Sequence, residues 1–156
     1  MRIAVITSCS KNKSEFPGPA WLVNRGQLLR LVIDYSNLID ADLYILSAKF
    51  GLIDANMRIE PYDNKLRTKR DISRIQGSAN LKFGQLLQHY DKIIIIMGRF
   101  YRSVFHDLYL SDEKVTIIDD NRGIGGYYQR VVDLIKEEST NLFNNSEKIE
   151  GEINGN

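Results

Sequence analysis

Four short runs of apolar, mostly β-branched residues constrain this chain more than any other feature. They are Ile3–Thr7, Leu43–Leu46, Ile93–Met97 and Val115–Ile118. Each is too short for a buried helix and lacks the alternation of a strand with one wet face. Such runs suit strands covered on both sides, as in a parallel sheet. Each is followed by helically spaced apolar positions, over roughly 26–39, 70–89, 101–108 and 127–136. The order β-α-β-α-β-α-β-α predicts an α/β fold: a three-layer α/β/α sandwich, Rossmann-like, around a mostly parallel sheet of about four strands. The simplest doubly wound order is 2-1-3-4.

Length and composition agree with one core. The chain has 156 residues, 43% of them hydrophobic and 26% charged, within the range of a single globular domain. We expect one α/β domain over 1–136 and a flexible acidic tail over 137–156. That tail holds Glu137, Glu138, Glu147, Glu150 and Glu152 against Lys148 alone. Its charge of −4, taken from the net +1, leaves +5 on the body. A basic body suits a phosphate-bearing ligand without making the chain a polycation. Cys9 is the one cysteine, so no internal disulfide forms, in keeping with a reducing, cytoplasmic setting. No run of eighteen apolar residues suggests a membrane span. Oligomeric state is not legible.

Open parallel sheets bind ligands beyond the carboxyl ends of their strands. The segments that follow the four runs therefore contain the candidate site. After the first come Ser8, Cys9, Lys11 and Lys13, small polar residues and two ammonium groups suited to an anion. The segment lacks the glycine spacing of a P-loop. Cys9 is a poor candidate nucleophile, because His89 and His106 fall on helices away from the strand ends. After the second run comes S-A-K-F-G-L. It places Ser47 at the strand end, Lys49 at the rim for phosphate contact or leaving-group stabilisation, and Gly51 where positive φ or close ligand approach is expected.

The loop I-E-P-Y-D-N-K-L adds Glu60, Tyr62 and Asp63. Tyr62 suits stacking on a base, and Asp63 suits a general base or a carboxylate beside a sugar cation. Gly98 and Tyr101 follow the third run. Gly123 and Gly125 precede the last helix in an order unlike a dinucleotide fingerprint. Lys65–Arg74 holds five bases and one acid, a candidate contact for nucleic acid. No interleaved aromatics signal single-strand stacking there. Neither a metal set nor a cofactor motif is present.

Together the motifs resemble a family of small bacterial, archaeal and phage domains of unknown function. They read C-x-K-x-K over Cys9–Lys13, I-L-S-A-K-x-G-L over Ile45–Leu52, E-P-Y-D-x-x-L over Glu60–Leu66, G-x-x-Y over Gly98–Tyr101 and G-I-G over Gly123–Gly125. Met97 departs from the usual small residue before the third-strand glycine. The resemblance implies an α/β fold and a shared site, and supplies no reaction. The residues themselves point to an enzyme acting on a nucleotide, nucleoside or nucleic-acid base, with N-glycosidic hydrolysis or base transfer as the favoured chemistry. Lys49, Asp63 and Lys11 are its candidate catalytic groups. The other reading is a nucleotide- or nucleic-acid-binding module without turnover.

Overall fold

The computed structural model describes residues 1–9, 13–63 and 65–154. It is a mixed α/β fold with a five-stranded, mostly parallel sheet. In chain order the elements are β1 (Ile3–Ser8), β2 (Gly18–Pro19), α1 (Ala20–Val23), α2 (Gln27–Leu38), β3 (Asp42–Ser47), β4 (Gly51–Asp54) and β5 (Arg58–Ile59). Then come α3 (Lys69–His89), β6 (Lys92–Ile96), α4 (Arg99–Arg102), α5 (Asp107–Leu110), β7 (Val115–Ile118) and α6 (Ile124–Asn154).

The sheet runs β4-β3-β1-β6-β7. Its four parallel strands are the four apolar runs, in the expected order 2-1-3-4. The fifth, β4, is antiparallel to β3, with Ser47 opposite Gly51 and Tyr44 opposite Asp54. The sequence reading took Gly51 and Leu52 as site loop. Instead they open a hairpin strand at the sheet edge. A β-branched residue count cannot reveal so short an edge strand, and Gly51 reads as turn rather than strand.

Successive strand residues point to opposite faces. Val5, Ile94 and Ile96 pack with Val32 and Tyr35 of α2 and with Tyr127 and Val131 of α6. Ala4, Ile6, Ile93 and Ile95 belong to the other core cluster, with Ile72, Ile75, Ala79 and Phe83 of α3. Thr68 caps α3: its hydroxyl accepts from the Asp71 amide at 3.3 Å, and Asp71 Oδ2 accepts from the Thr68 amide at 2.9 Å. This reciprocal capping box explains why the helix starts where it does.

Two expected helices differ. The one placed over 101–108 is two single turns, α4 and α5. Between them Val104 and Phe105 turn into the core, held by Asn80. Its Nδ2 donates to the Val104 carbonyl at 2.8 Å, and its Oδ1 accepts from the His106 amide at 2.8 Å. The last helix does not stop near Lys136 but runs to Asn154. The segment 137–154, expected as part of a flexible acidic tail over 137–156, is helical. That expectation rests on the lack of a usable apolar pattern, whereas Leu142, Ile149 and Ile153 continue the spacing of Val131 and Ile135. No described helix is long and apolar enough to cross a membrane.

Candidate functional site

β1 is central, and its last residues Thr7, Ser8 and Cys9 reach a cavity of about 650 Å³ beyond the strand end. Thr7 is anchored there by donating to the Ile96 carbonyl at 2.8 Å, which ties β1 to β6. The first turn of α2 supplies Gly26, Gln27 and Leu28 on one side, and α6 supplies Ile124, Gly125 and Tyr128 on the other. Tyr101 and Lys65 also line the cavity. Of the residues singled out from sequence, Ser8, Cys9, Tyr101 and Gly125 line this cavity. Lys65 reaches it from the basic stretch.

Beside the cavity lies a buried polar cluster built on Ser47. This residue is wholly buried. Its hydroxyl accepts from the amides of Lys49 and Phe50 at 3.2 and 3.0 Å and donates to the Tyr62 phenol at 2.7 Å. The strand ends in serine because one hydroxyl both closes the turn and clamps the following loop. After burial, the nearby Cys9 adds to the upward pull on the Tyr62 phenol, and Cys9 Sγ lies 3.8 Å from the Tyr101 phenol. Burial, then the nearby Cys9, pushes the Tyr101 phenol up to about 12. Burial likewise pushes Tyr62 well above the ordinary phenol value.

Lys13 Nζ sits 4.6 Å from the Tyr62 ring centroid. Burial lowers the Lys13 pKa, while neighbouring Cys9 and Asp63 act in the opposite sense. Asp63 itself is exposed. Phe50 meets Tyr62 edge-on at 5.5 Å, and Lys49 Nζ lies 5.3 Å from the Phe50 ring centroid. Thus Lys49, Phe50, Tyr62 and Lys13 form one cation–aromatic–aromatic–cation series. Lys49 is exposed and does not line the cavity. The stacking role expected of Tyr62 is not open to it in this arrangement. Its ring is 8% exposed and is covered by Lys13 and Phe50. Tyr101 and Tyr128 are the aromatic side chains at the cavity wall.

The glycines play different parts. Gly51 has φ +75°, and a Cβ there would lie 2.8 Å from Ser78 Oγ; it serves the β3–β4 turn and its approach to α3. Gly123 has φ +80° and leads into α6. A Cβ on Gly125 or Gly98 would meet open space, so packing does not demand glycine at either. Glu60 is exposed and Gly98 precedes α4. Lys11 lies outside the described residues.

Sequence reasoning missed the α2 wall and the partners of the two adjacent aspartates that follow the fourth run. Asp119 Oδ1 accepts from Tyr127 at 2.8 Å and from Arg102 at 3.4 Å, while Oδ2 pairs with Arg99 at 3.3 Å. Tyr127, then the arginines, hold the Asp119 carboxyl down to about 2. Adjacent Asp120 turns to Arg122 at 2.8 Å. Gly126, the third glycine of the loop before the last helix, is the one that packing demands. A Cβ on it would collide with the Asp120 carboxylate and approach Arg122 Cβ to 2.9 Å. The G-I-G-G string hinted at crowding but not at which glycine needs it. In the basic stretch, Arg74 donates to the Ala48 carbonyl at 3.0 Å, whereas Arg67, Lys69 and Arg70 stay exposed.

A mixed α/β domain with a cavity at the carboxyl end of its central strand is therefore the class this chain defines. It belongs to the family of unknown function DUF6884, which matches residues 3–131. No curated protein and no solved structure matches the chain.

Proposed function

We propose that this chain is an enzyme acting on a nucleotide, nucleoside or nucleic-acid base, hydrolysing an N-glycosidic bond or exchanging the base. The observation that carries this reading is the cavity of about 650 Å³ at the end of β1, with Tyr101, Tyr128, Leu28 and Lys65 on its wall. Its size falls in the range of small-molecule sites. Aromatic and aliphatic walls suit a base, and an ammonium at one end suits a phosphate or the departing base. Helices against both faces of the sheet support a three-layer, Rossmann-like reading of the fold. The C-x-K-x-K, S-A-K-x-G-L and P-Y-D motifs are then this family's shared site, in a cytoplasmic protein.

In such a reaction the bond from the anomeric carbon to nitrogen breaks with its electrons leaving on the base. Water, or an incoming base, supplies the new bond to that carbon, and the departing nitrogen takes up a proton. Asp63 stabilises the sugar cation or receives the water proton. Lys13, held against Tyr62 and beside Asp63, supplies positive charge for the departing base, with Lys49 and Lys11 as the further candidate cations.

One observation favours a second reading, a nucleotide- or nucleic-acid-binding module without turnover. Asp63 and Lys49 do not line the cavity, while Lys65, and the exposed Arg67, Lys69 and Arg70 beyond it, suit a phosphate backbone. The test is calorimetric titration with nucleotides, nucleosides, free bases and short DNA and RNA, followed by turnover assays on any binder. Base release that Asp63→Ala abolishes without weakening binding supports the enzyme. Binding without release, unaltered in Asp63→Ala, selects the module. Silence across the panel removes both.

A further inference from the structure

The family's match ends at residue 131, yet α6 continues to Asn154. Its first turns pack on the body: Tyr127 and Val131 are buried and Ile135 is partly buried against α2. Every residue from Ser139 to Asn154 is exposed. At 100° per residue, Val131, Ile135, Leu142, Ile149 and Ile153 fall within about 40° of one line. The face that packs on the domain thus continues beyond it. Leu142, Ile149 and Ile153 stand on it 47%, 57% and 69% exposed.

Charge decides what suits this face. The exposed part of α6, 139–154, carries Glu147, Glu150 and Glu152 against Lys148. Glu152 lies beside the stripe, and Glu150 and Glu147 lie farther around the helix. A second copy of this helix would set acid against acid, which opposes self-pairing. An anionic lipid surface is repelled for the same reason, since interfacial helices use a basic polar face.

We propose that the overhanging part of α6 is a docking helix for a basic amphipathic helix of another polypeptide. The partner's apolar stripe covers Leu142, Ile149 and Ile153, and its Lys or Arg residues flank that stripe to meet the glutamates. This arrangement is the helix-against-helix mode of peptide recognition, read as i, i+7, i+11 anchors. It is independent of the cavity at the strand ends.

The test titrates the full chain into a fluorescent helical peptide of about twenty residues with leucine at a and d positions and lysine elsewhere. A twin peptide carries glutamate in place of lysine. The triple variant Leu142→Ser, Ile149→Ser, Ile153→Ser keeps the charge and removes the stripe. Binding of the basic peptide that weakens with salt, falls about tenfold or more in the triple variant and is absent for the acidic twin supports the proposal. Circular dichroism of the variant shows whether α6 persists. If it unravels, Leu142→Asn alone repeats the comparison. Equal binding by wild type and a helical variant overturns it, as does no binding at all. Concentration-dependent dimerisation lost in the variant assigns the face to a second copy instead. Adsorption to anionic phosphatidylserine vesicles assigns it to a membrane.

Discussion

Lys13 Nζ lies 4.6 Å from the centre of the Tyr62 ring, and Tyr62 receives a hydrogen bond from Ser47 at 2.7 Å. An ammonium from the first strand loop is thereby held against the loop that carries Asp63. Burial favours the neutral amine, and Asp63 favours the charged one. In a titration followed by side-chain carbon-13 NMR, Lys13 therefore deprotonates below the ordinary lysine value of 10.5. Asp63→Asn removes a neighbouring anion and moves the midpoint lower still. A midpoint at or above 10.5, or one indifferent to Asp63→Asn, contradicts this electrostatic picture.

Gly125 separates ligand binding from folding. It lines the cavity, and a Cβ there meets nothing within 4 Å. Gly125→Val places a branched side chain in that space while improving helix propensity. We expect a melting temperature equal to or above wild type, together with loss of whatever ligand the cavity takes. Unaltered affinity for an identified ligand would show that it binds elsewhere.

Gly51 is the opposite case. Its φ of +75° and the 2.8 Å approach of a Cβ to Ser78 Oγ make alanine costly by about 1–2 kcal/mol from the backbone alone. The crowding adds to that. In urea denaturation, Gly51→Ala in a Ser78→Ala background recovers the steric part and retains the backbone part. Full recovery would mean that the positive φ carries no cost.

Asp119 gives an acid-side prediction. Its folded pKa of about 2 lies below the ordinary aspartate value of 3.8, chiefly through Tyr127. A depressed carboxyl pKa contributes stability that is present above the unfolded value and lost as pH falls through the folded one. Thermal melts of wild type should therefore lose that contribution between about pH 4 and pH 2. Asp119→Asn starts less stable at pH 6 and shows a shallower decline over this window. Parallel declines in the two proteins would exclude a role for this carboxylate.

The four parallel strands, their order and the position of the ligand-binding edge were legible because they depend on local pattern. Apolar β-branched runs seek burial on two faces, helical spacing marks the crossovers, and right-handed connections leave few arrangements. Ser47, Cys9, Tyr62 and Tyr101 could be picked out as residues near strand ends for the same reason. Only the tertiary structure decided which of them share space. The packing of α2 against α6 makes Gln27, Leu28 and Tyr128 a cavity wall, although these residues lie a hundred positions apart and carry no motif. Ser47 proved a buried clamp, because the Lys49 and Phe50 amides and the Tyr62 phenol occupy its hydroxyl, and Tyr62 a covered ring, because Lys13 and Phe50 pack against it. The last turns of α6 escaped the sequence reading for the converse reason. Among the described residues their apolar stripe packs against nothing, so neither burial nor tertiary contact distinguishes the helix. What a residue type is able to do is written locally, whereas what it faces depends on crossovers that bring remote segments together.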